Sequence, residues 1–215
     1  MPAHQPLDEQ EARQHRRPRR SAAKRQAILD AAVALFCAEG YARTSVDAIA
    51  AAAGVGKQTI YGHFGDKQRL FLAAVSDARA GQPERGAELV TDTGDPTADL
   101  AVAGERILAI VLSPKVSALH RLTIAEVTHH PELQRIWRDG AEPVLDNGIA
   151  DYLRRCHAAG TLEVPDPPRA ARQFSYVLVT EARVATAYGS QPLAAPLRRG
   201  IAAGAADLIT RAYRS

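Results

Sequence analysis

Between Thr44 and Lys67 the chain reads TSVDAIAAAAGVGKQTIYGHFGDK, and its polar side chains are of the kinds that engage a phosphate backbone and base edges. Lys57 and Lys67 carry ammonium groups on long stems, point charges suited to phosphate. The Tyr61 hydroxyl can hydrogen-bond a phosphate while its ring packs on a sugar. Gln58 has the carboxamide that pairs bidentately with adenine, and Thr59 has a methyl group that can meet a thymine methyl. His63 stands beside Phe64, so packing within a small helix is its first reading and a contact to DNA its second.

These side chains need a scaffold that presents them together. Ser45 can cap a helix, and Asp47 falls in its first turn, where a carboxylate suits the positive end. Val46, Ile49, Ala50 and Ala53 follow at i, i+3, i+4 and i+7, one apolar stripe. Gly54 is the residue that ends a helix in the left-handed conformation at least cost. Val55 can plug the corner. Lys57 to His63 then form a second, very short helix with Ile60 and Phe64 inward, leaving Gln58, Thr59 and Tyr61 pointing elsewhere. Two short helices around a Gly-centred turn make a helix-turn-helix, whose second helix enters a major groove.

The pattern Gly54, Val55, Lys57, Thr59, Ile60, Tyr61, His63, Phe64, Lys67 and Leu70 resembles the DNA-binding domain of the TetR/AcrR family of bacterial one-component transcription regulators. The motif spans about a quarter of the chain. Arg121 to Leu178 resembles, more loosely, the AefR-type subgroup of that family's second domains. The resemblance implies that Thr44, Ser45 and the start of the motif's first helix also hold the DNA backbone. It implies a homodimer paired through the last two helices as a four-helix bundle, a palindromic double-stranded operator, and a small-molecule effector in the second domain. The wall candidates for that cavity are Val111, Leu122, Trp137, Tyr152 and Phe174, with Arg121, Thr123 and Glu126 as polar groups. For each of those three polar groups a structural or surface role is the alternative. Two positions depart from the commoner pattern. Gly56 replaces a side-chain cap, and Gly62 stands where a longer side chain often reaches bases.

Composition agrees with an all-α fold. The chain has 215 residues, 46% apolar but only 5% aromatic, so its core must be built from Ala, Leu, Val and Ile. The basic excess is local: residues 1–69 hold 11 Lys/Arg against 7 Asp/Glu, although the whole chain is only +3. A phosphate-binding surface needs that placement. Cys37 and Cys156, the only cysteines, fit no metal spacing and no disulfide framework, and read as small buried hydrophobes in a reducing compartment. No apolar run approaches the ~20 residues of a membrane span, and the N-terminus has no secretory core segment. A cytoplasmic protein without membrane partners is expected.

Taken in order, residues 1–21 read as a disordered basic arm. Arg13, Arg16, Arg17, Arg19, Arg20, Lys24 and Arg25 occur there and just beyond with no acid among them. The arm either tracks phosphates or is a solvated tail. Residues 22–80 form the DNA-binding domain, with a first helix from Ala22 to Ala38 and a linking helix over 66–80. Residues 81–95 read as a boundary loop, and 95–215 as the ligand-binding and dimerisation domain. There Pro96, Pro114 and Pro131 open helices, Gly140 and Pro143 interrupt one, and TLEVPDPP makes a turn. A helix from Arg169 to about Tyr188 and a final one from Pro192 or Pro196 bring the total to about nine. His120, Glu126, His129 and His130 raise a metal question, but matching ligands on other helices are missing, so neither metal nor cofactor is expected. Two other classes compete with this reading: an enzyme or metal carrier on a helical bundle, and a helical small-molecule-binding protein without specific DNA readout. No nucleophile–base pair or phosphate loop supports an enzyme.

Overall fold

Caps and prolines decide where the helices of this chain begin. A computed structural model describes residues 7–80, 89–138 and 142–214, and the backbone there forms ten α-helices with no strand among the described residues. The chain divides into two compact units at Ala78 and Arg79.

The first unit holds α1 (Leu7–Glu39), α2 (Val46–Ala52), α3 (Lys57–Phe64) and α4 (Lys67–Ala80). Its core is Ile28, Leu29 and Phe36 of α1, Ile49 of α2, Ile60 of α3 and Phe71 of α4, all at most 1% exposed. Phe36 meets Phe71 edge-on with ring centres 5.1 Å apart, and Tyr41 packs on Phe71 at 4.8 Å. Such aromatic pairs add to simple area burial. Asp66 caps α4 by accepting from the Arg69 N–H at 2.7 Å.

The expected start of the first helix needs correction. α1 begins at Leu7, so it runs through most of the stretch read as a disordered arm. Gln, Glu, Ala and Arg fill this stretch, all good helix formers, and no glycine interrupts them. Pro18 removes one helical N–H there without ending the helix. Residues 1–6, and the side chains before Ser21, lie outside the described residues.

The second unit holds α5 (Pro96–Val111), α6 (Pro114–Glu126), α7 (Glu132–Arg138), α8 (Glu142–Ala158), α9 (Pro167–Ala185) and α10 (Ala195–Ala212). Asp95 caps α5 by accepting from the N–H groups of Thr97 and Ala98, at 3.0 and 3.1 Å. Asp166 caps α9 by accepting from Arg169 N–H at 3.1 Å. α5 packs on α10 and α9, and α8 on α9. Gly104 permits the α5–α10 contact: a Cβ there would lie 3.1 Å from that of Ala202. Leu100, Ile107, Leu108, Tyr152, Phe174 and Leu178 centre one hydrophobic core.

Two boundaries differ from expectation. Leu89 and Val90, inside the stretch read as a boundary loop, are buried in this core, Leu89 against Gly148. Two adjacent apolar residues carry too little periodicity to signal that burial. α9 ends at Ala185 rather than near Tyr188, because Ala187, Tyr188 and Gly189 are all left-handed, at φ 46°, 59° and 74°. No single helix among the described residues is long and apolar enough to cross a membrane.

Candidate nucleic-acid interface

Ser45 starts α2, its hydroxyl accepting from the Ala48 N–H at 3.0 Å. Val46, Ile49 and Ala50 are buried, and Ala53 closes the helix as its C-cap. Gly54 then turns the chain at φ 64°, and the Val55 N–H donates to the Ala50 carbonyl at 3.0 Å. α3 begins after Gly56, which has no side chain to cap it, and stops at Gly65, φ 85°.

Within α3 the partition is clean. Ile60 and Phe64 are buried at i and i+4, while Lys57, Gln58, Tyr61 and Gly62 are exposed. Thr59 and His63 are half-buried, and the His63 ring lies 6.0 Å from that of Phe64. The exposed groups combine a cation, a carboxamide and a phenol, which is the chemistry of phosphate and base contact. A Cβ on Gly62 would meet nothing within 4 Å, so only its side chain's absence leaves a gap in this face.

Thr44, expected at the DNA backbone by its hydroxyl, is corrected. It is 1% exposed, and its hydroxyl donates to the Gly40 carbonyl at 2.8 Å. It fixes the α1–α2 turn from inside. Lys67 is engaged within the protein: its ammonium sits 4.4 Å from the Tyr41 ring centre and donates to the Ala42 carbonyl at 3.4 Å. The Lys57 ammonium is paired with Asp47 Oδ2 at 2.9 Å, and that hydrogen bond and charge raise its pKa above the ordinary lysine value. Lys24 and Arg25 are exposed, with the Arg25 guanidinium 5.5 Å from the Phe64 ring centre, which puts this part of α1 beside α3. The Arg19 and Arg20 side chains lie outside the described residues.

In the second unit, Val111, Tyr152 and Phe174 share the hydrophobic core, and Leu122 and Thr123 are buried on α6. The Thr123 hydroxyl donates to the Leu119 carbonyl of its own helix at 2.8 Å. Glu126 is half-buried, and Arg121 is exposed, donating to the Tyr188 carbonyl at 3.1 Å. The Trp137 side chain lies outside the described residues. Among the described residues no group of three His, Cys, Asp or Glu side chains is placed to hold a metal ion.

Sequence reasoning missed Asp99. This carboxylate is 4% exposed, yet it accepts from the Thr93 hydroxyl at 2.6 Å, the Thr93 N–H at 3.0 Å and the Tyr152 hydroxyl at 2.7 Å. Burial pushes its pKa up, but the bonds from Thr93 and Tyr152 outweigh burial and leave it below the ordinary value. Burial, the bond to Asp99 and neighbouring Cys156 push the Tyr152 hydroxyl far above the ordinary tyrosine range. An acid in a first turn reads as helix-dipole chemistry, so nothing in the sequence marks Asp99 as a buried acceptor.

Comparison with known proteins agrees with this geometry. Residues 28–74 match the family described as bacterial regulatory proteins, tetR family. Residues 98–215 match the AefR-like transcriptional repressor, C-terminal domain, a wider span than the Arg121–Leu178 resemblance. The chain is 39% identical over 108 residues to the HTH-type transcriptional regulator AcrR of Shigella flexneri, a match that covers 49% of this chain and only 48% of that protein. It is 39% identical over 145 residues to the HTH-type transcriptional repressor AcnR of Corynebacterium efficiens, covering 66% of this chain and 71% of that one. Among solved structures, a protein from Mesorhizobium loti assigned to the TetR family superposes with a TM-score of 0.80 at 26% identity, covering 91% of this chain and 99% of that one. The flavonoid-responsive regulator FrrA gives 0.70 at 26% identity, covering 89% and 97%. With matched domains at both ends and the helix-turn-helix in place, the chain belongs to the TetR family of bacterial regulatory proteins.

Proposed function

We propose that this chain is a ligand-responsive transcriptional repressor, acting in the cytoplasm as a homodimer on a palindromic operator. The observation that carries the reading is α3 itself: Ile60 and Phe64 hold it to the core while Lys57, Gln58 and Tyr61 stay exposed on its other side. That is the arrangement of a helix offered to a major groove. Gln58 is the base reader, and Ser45, Lys24 and Arg25 supply backbone contacts.

Dimerisation through α9 and α10 is supported by the apolar side chains they leave exposed: Val177, Val184, Leu197 and Leu208. Gly200 and Gly204, on the same flank of α10, have open space above them, which lets a partner helix approach closely. Two copies are what a half-site pair requires. The effector is a small molecule held by the second unit, and it acts by binding one arrangement of the dimer more tightly than the other. FrrA is described as flavonoid-responsive, so planar aromatic compounds are the first class to screen. No catalytic role is proposed.

The test is a mobility-shift assay on the DNA flanking the gene, with a thermal-shift screen for the effector. One preferred palindrome, binding that weakens steeply with salt, and a compound that both raises the melting point and releases DNA are the expected results. Equal binding to all sequences at every salt concentration would rule the repressor reading out.

A further inference from the structure

Lys57 is the one lysine or arginine on α3, and it does not stand alone. Asp47, in the first turn of α2, holds its ammonium at 2.9 Å across the helix-turn-helix, and the Asp47 and Lys57 side chains are 69% and 48% exposed. A pair so exposed contributes little to folding stability. Its cost to binding is another matter, because a carboxylate beside a phosphate-facing lysine repels phosphate. The pair makes the reading helix close to neutral. An exposed cation beside this helix lies instead on α1, at Arg25.

We propose that Asp47 is a specificity-determining residue of the DNA interface: by pairing with Lys57 it withholds that lysine from sequence-independent phosphate contact. The inference rests on the reading of α3 as the DNA-facing helix. Non-specific affinity comes almost wholly from phosphate neutralisation, whereas base contacts add only on the right sequence. On random DNA no base contact holds α3 in register, and the helix can shift until its lysine meets a phosphate. On the operator the base contacts hold it where Lys57 stays on Asp47. Cancelling this cation therefore lowers affinity for random DNA more than affinity for the operator. Asp47 also limits the reach of the Lys57 stem, so the Gln58 carboxamide beside it has less competition for the groove.

The test uses full-length protein and two labelled duplexes, one of random sequence and one selected from a random pool by the wild-type protein. Binding is followed by fluorescence anisotropy across a salt series for Asp47→Asn, Lys57→Met and the double variant, each checked for an unchanged melting curve. Asp47→Asn should bind the random duplex about five- to tenfold more tightly at low salt, with a log–log salt slope steeper by about one. The selected duplex should gain less, so the specificity ratio falls. The double variant should return to the random-duplex affinity of Lys57→Met. Unchanged random-duplex affinity and slope in Asp47→Asn, or an equal gain on both duplexes, would overturn the proposal and leave wild-type DNA binding standing. Failure of the wild type to bind either duplex would overturn the DNA-binding reading, and the proposal with it.

Discussion

Gly189 sits so close to Ser117 that a Cβ added to it would fall 2.1 Å from the serine hydroxyl oxygen and 2.5 Å from the serine Cβ. The left-handed turn after α9 is thereby locked against α6, with the Arg121 guanidinium donating to the Tyr188 carbonyl and the His120 and Tyr188 rings stacked at 6.4 Å. Gly189→Ala should cost about 2–4 kcal/mol, combining overpacking with a left-handed alanine. Ser117→Gly removes both clashing atoms and leaves the Cα, 3.7 Å away, as the nearest neighbour. The double variant should therefore be more stable than the sum of the two single losses predicts. Urea unfolding measures this, and simple additivity would show that the contact is not what Gly189 protects.

The Asp99 carboxylate gives a pH signature. Its folded pKa lies below the ordinary value, so the folded state holds the ionised form more strongly than the unfolded chain does. The resulting stability is present above the unfolded value of ~4 and is lost as pH falls through the lower folded value. Asp99→Asn should lower stability at neutral pH by about 1–3 kcal/mol and flatten part of the acid loss. Tyr152→Phe removes one of the bonds that hold the pKa down, so its acid loss should begin at the same unfolded value but be smaller and level off at a higher pH. Calorimetry from pH 7 to about pH 2.5 separates these cases.

Most of the helical plan was legible because prolines and caps speak locally. Pro96 and Pro114 begin α5 and α6 as read, and Ser45, Gly54 and Gly56 bracket the two motif helices as read. What failed depends on contacts distant in sequence. Thr44 beside a cap looks like a surface hydroxyl until Gly40 is folded under it. Asp47 and Lys57 are ten positions apart and meet only because the turn at Gly54 closes. The left-handed run Ala187–Tyr188 is invisible to propensity, since neither residue type favours it and α6 is what holds it in place. The start of α1 is hidden for a different reason: Pro2, Pro6 and Pro18 among charges, with no sustained apolar stripe, read as disorder although good helix formers fill the stretch.

Gln58 is exposed one position into α3, next to the paired Lys57 and one turn from Tyr61. Gln58→Ala should relax base choice at one position in each half-site, by about 1–3 kcal/mol, and leave random-duplex affinity nearly unchanged. Selection from a random pool, compared with the wild type, reads this directly. Equal losses on selected and random duplexes would remove Gln58 from the reading role.

On α9 the exposed residues Val177 and Val184 recur at i and i+7, and on α10 Leu197, Gly204 and Leu208 recur at i, i+7 and i+11. Two helices with matching apolar stripes at helical spacing make a face that can meet its own copy around a two-fold axis. Val184→Glu and Leu208→Glu place charge on positions already exposed in the single chain, so folding should change little while association weakens. Gly204→Arg is the sharper test. Arginine is the better helix former, by about 0.5–1 kcal/mol at an exposed site, so this variant should melt no lower as a single chain. The same side chain fills the space a partner helix needs. Sedimentation equilibrium should therefore show Gly204→Arg moving towards the single-chain mass with its helix content intact. A mass equal to that of the wild type would place the dimer contact elsewhere on the surface.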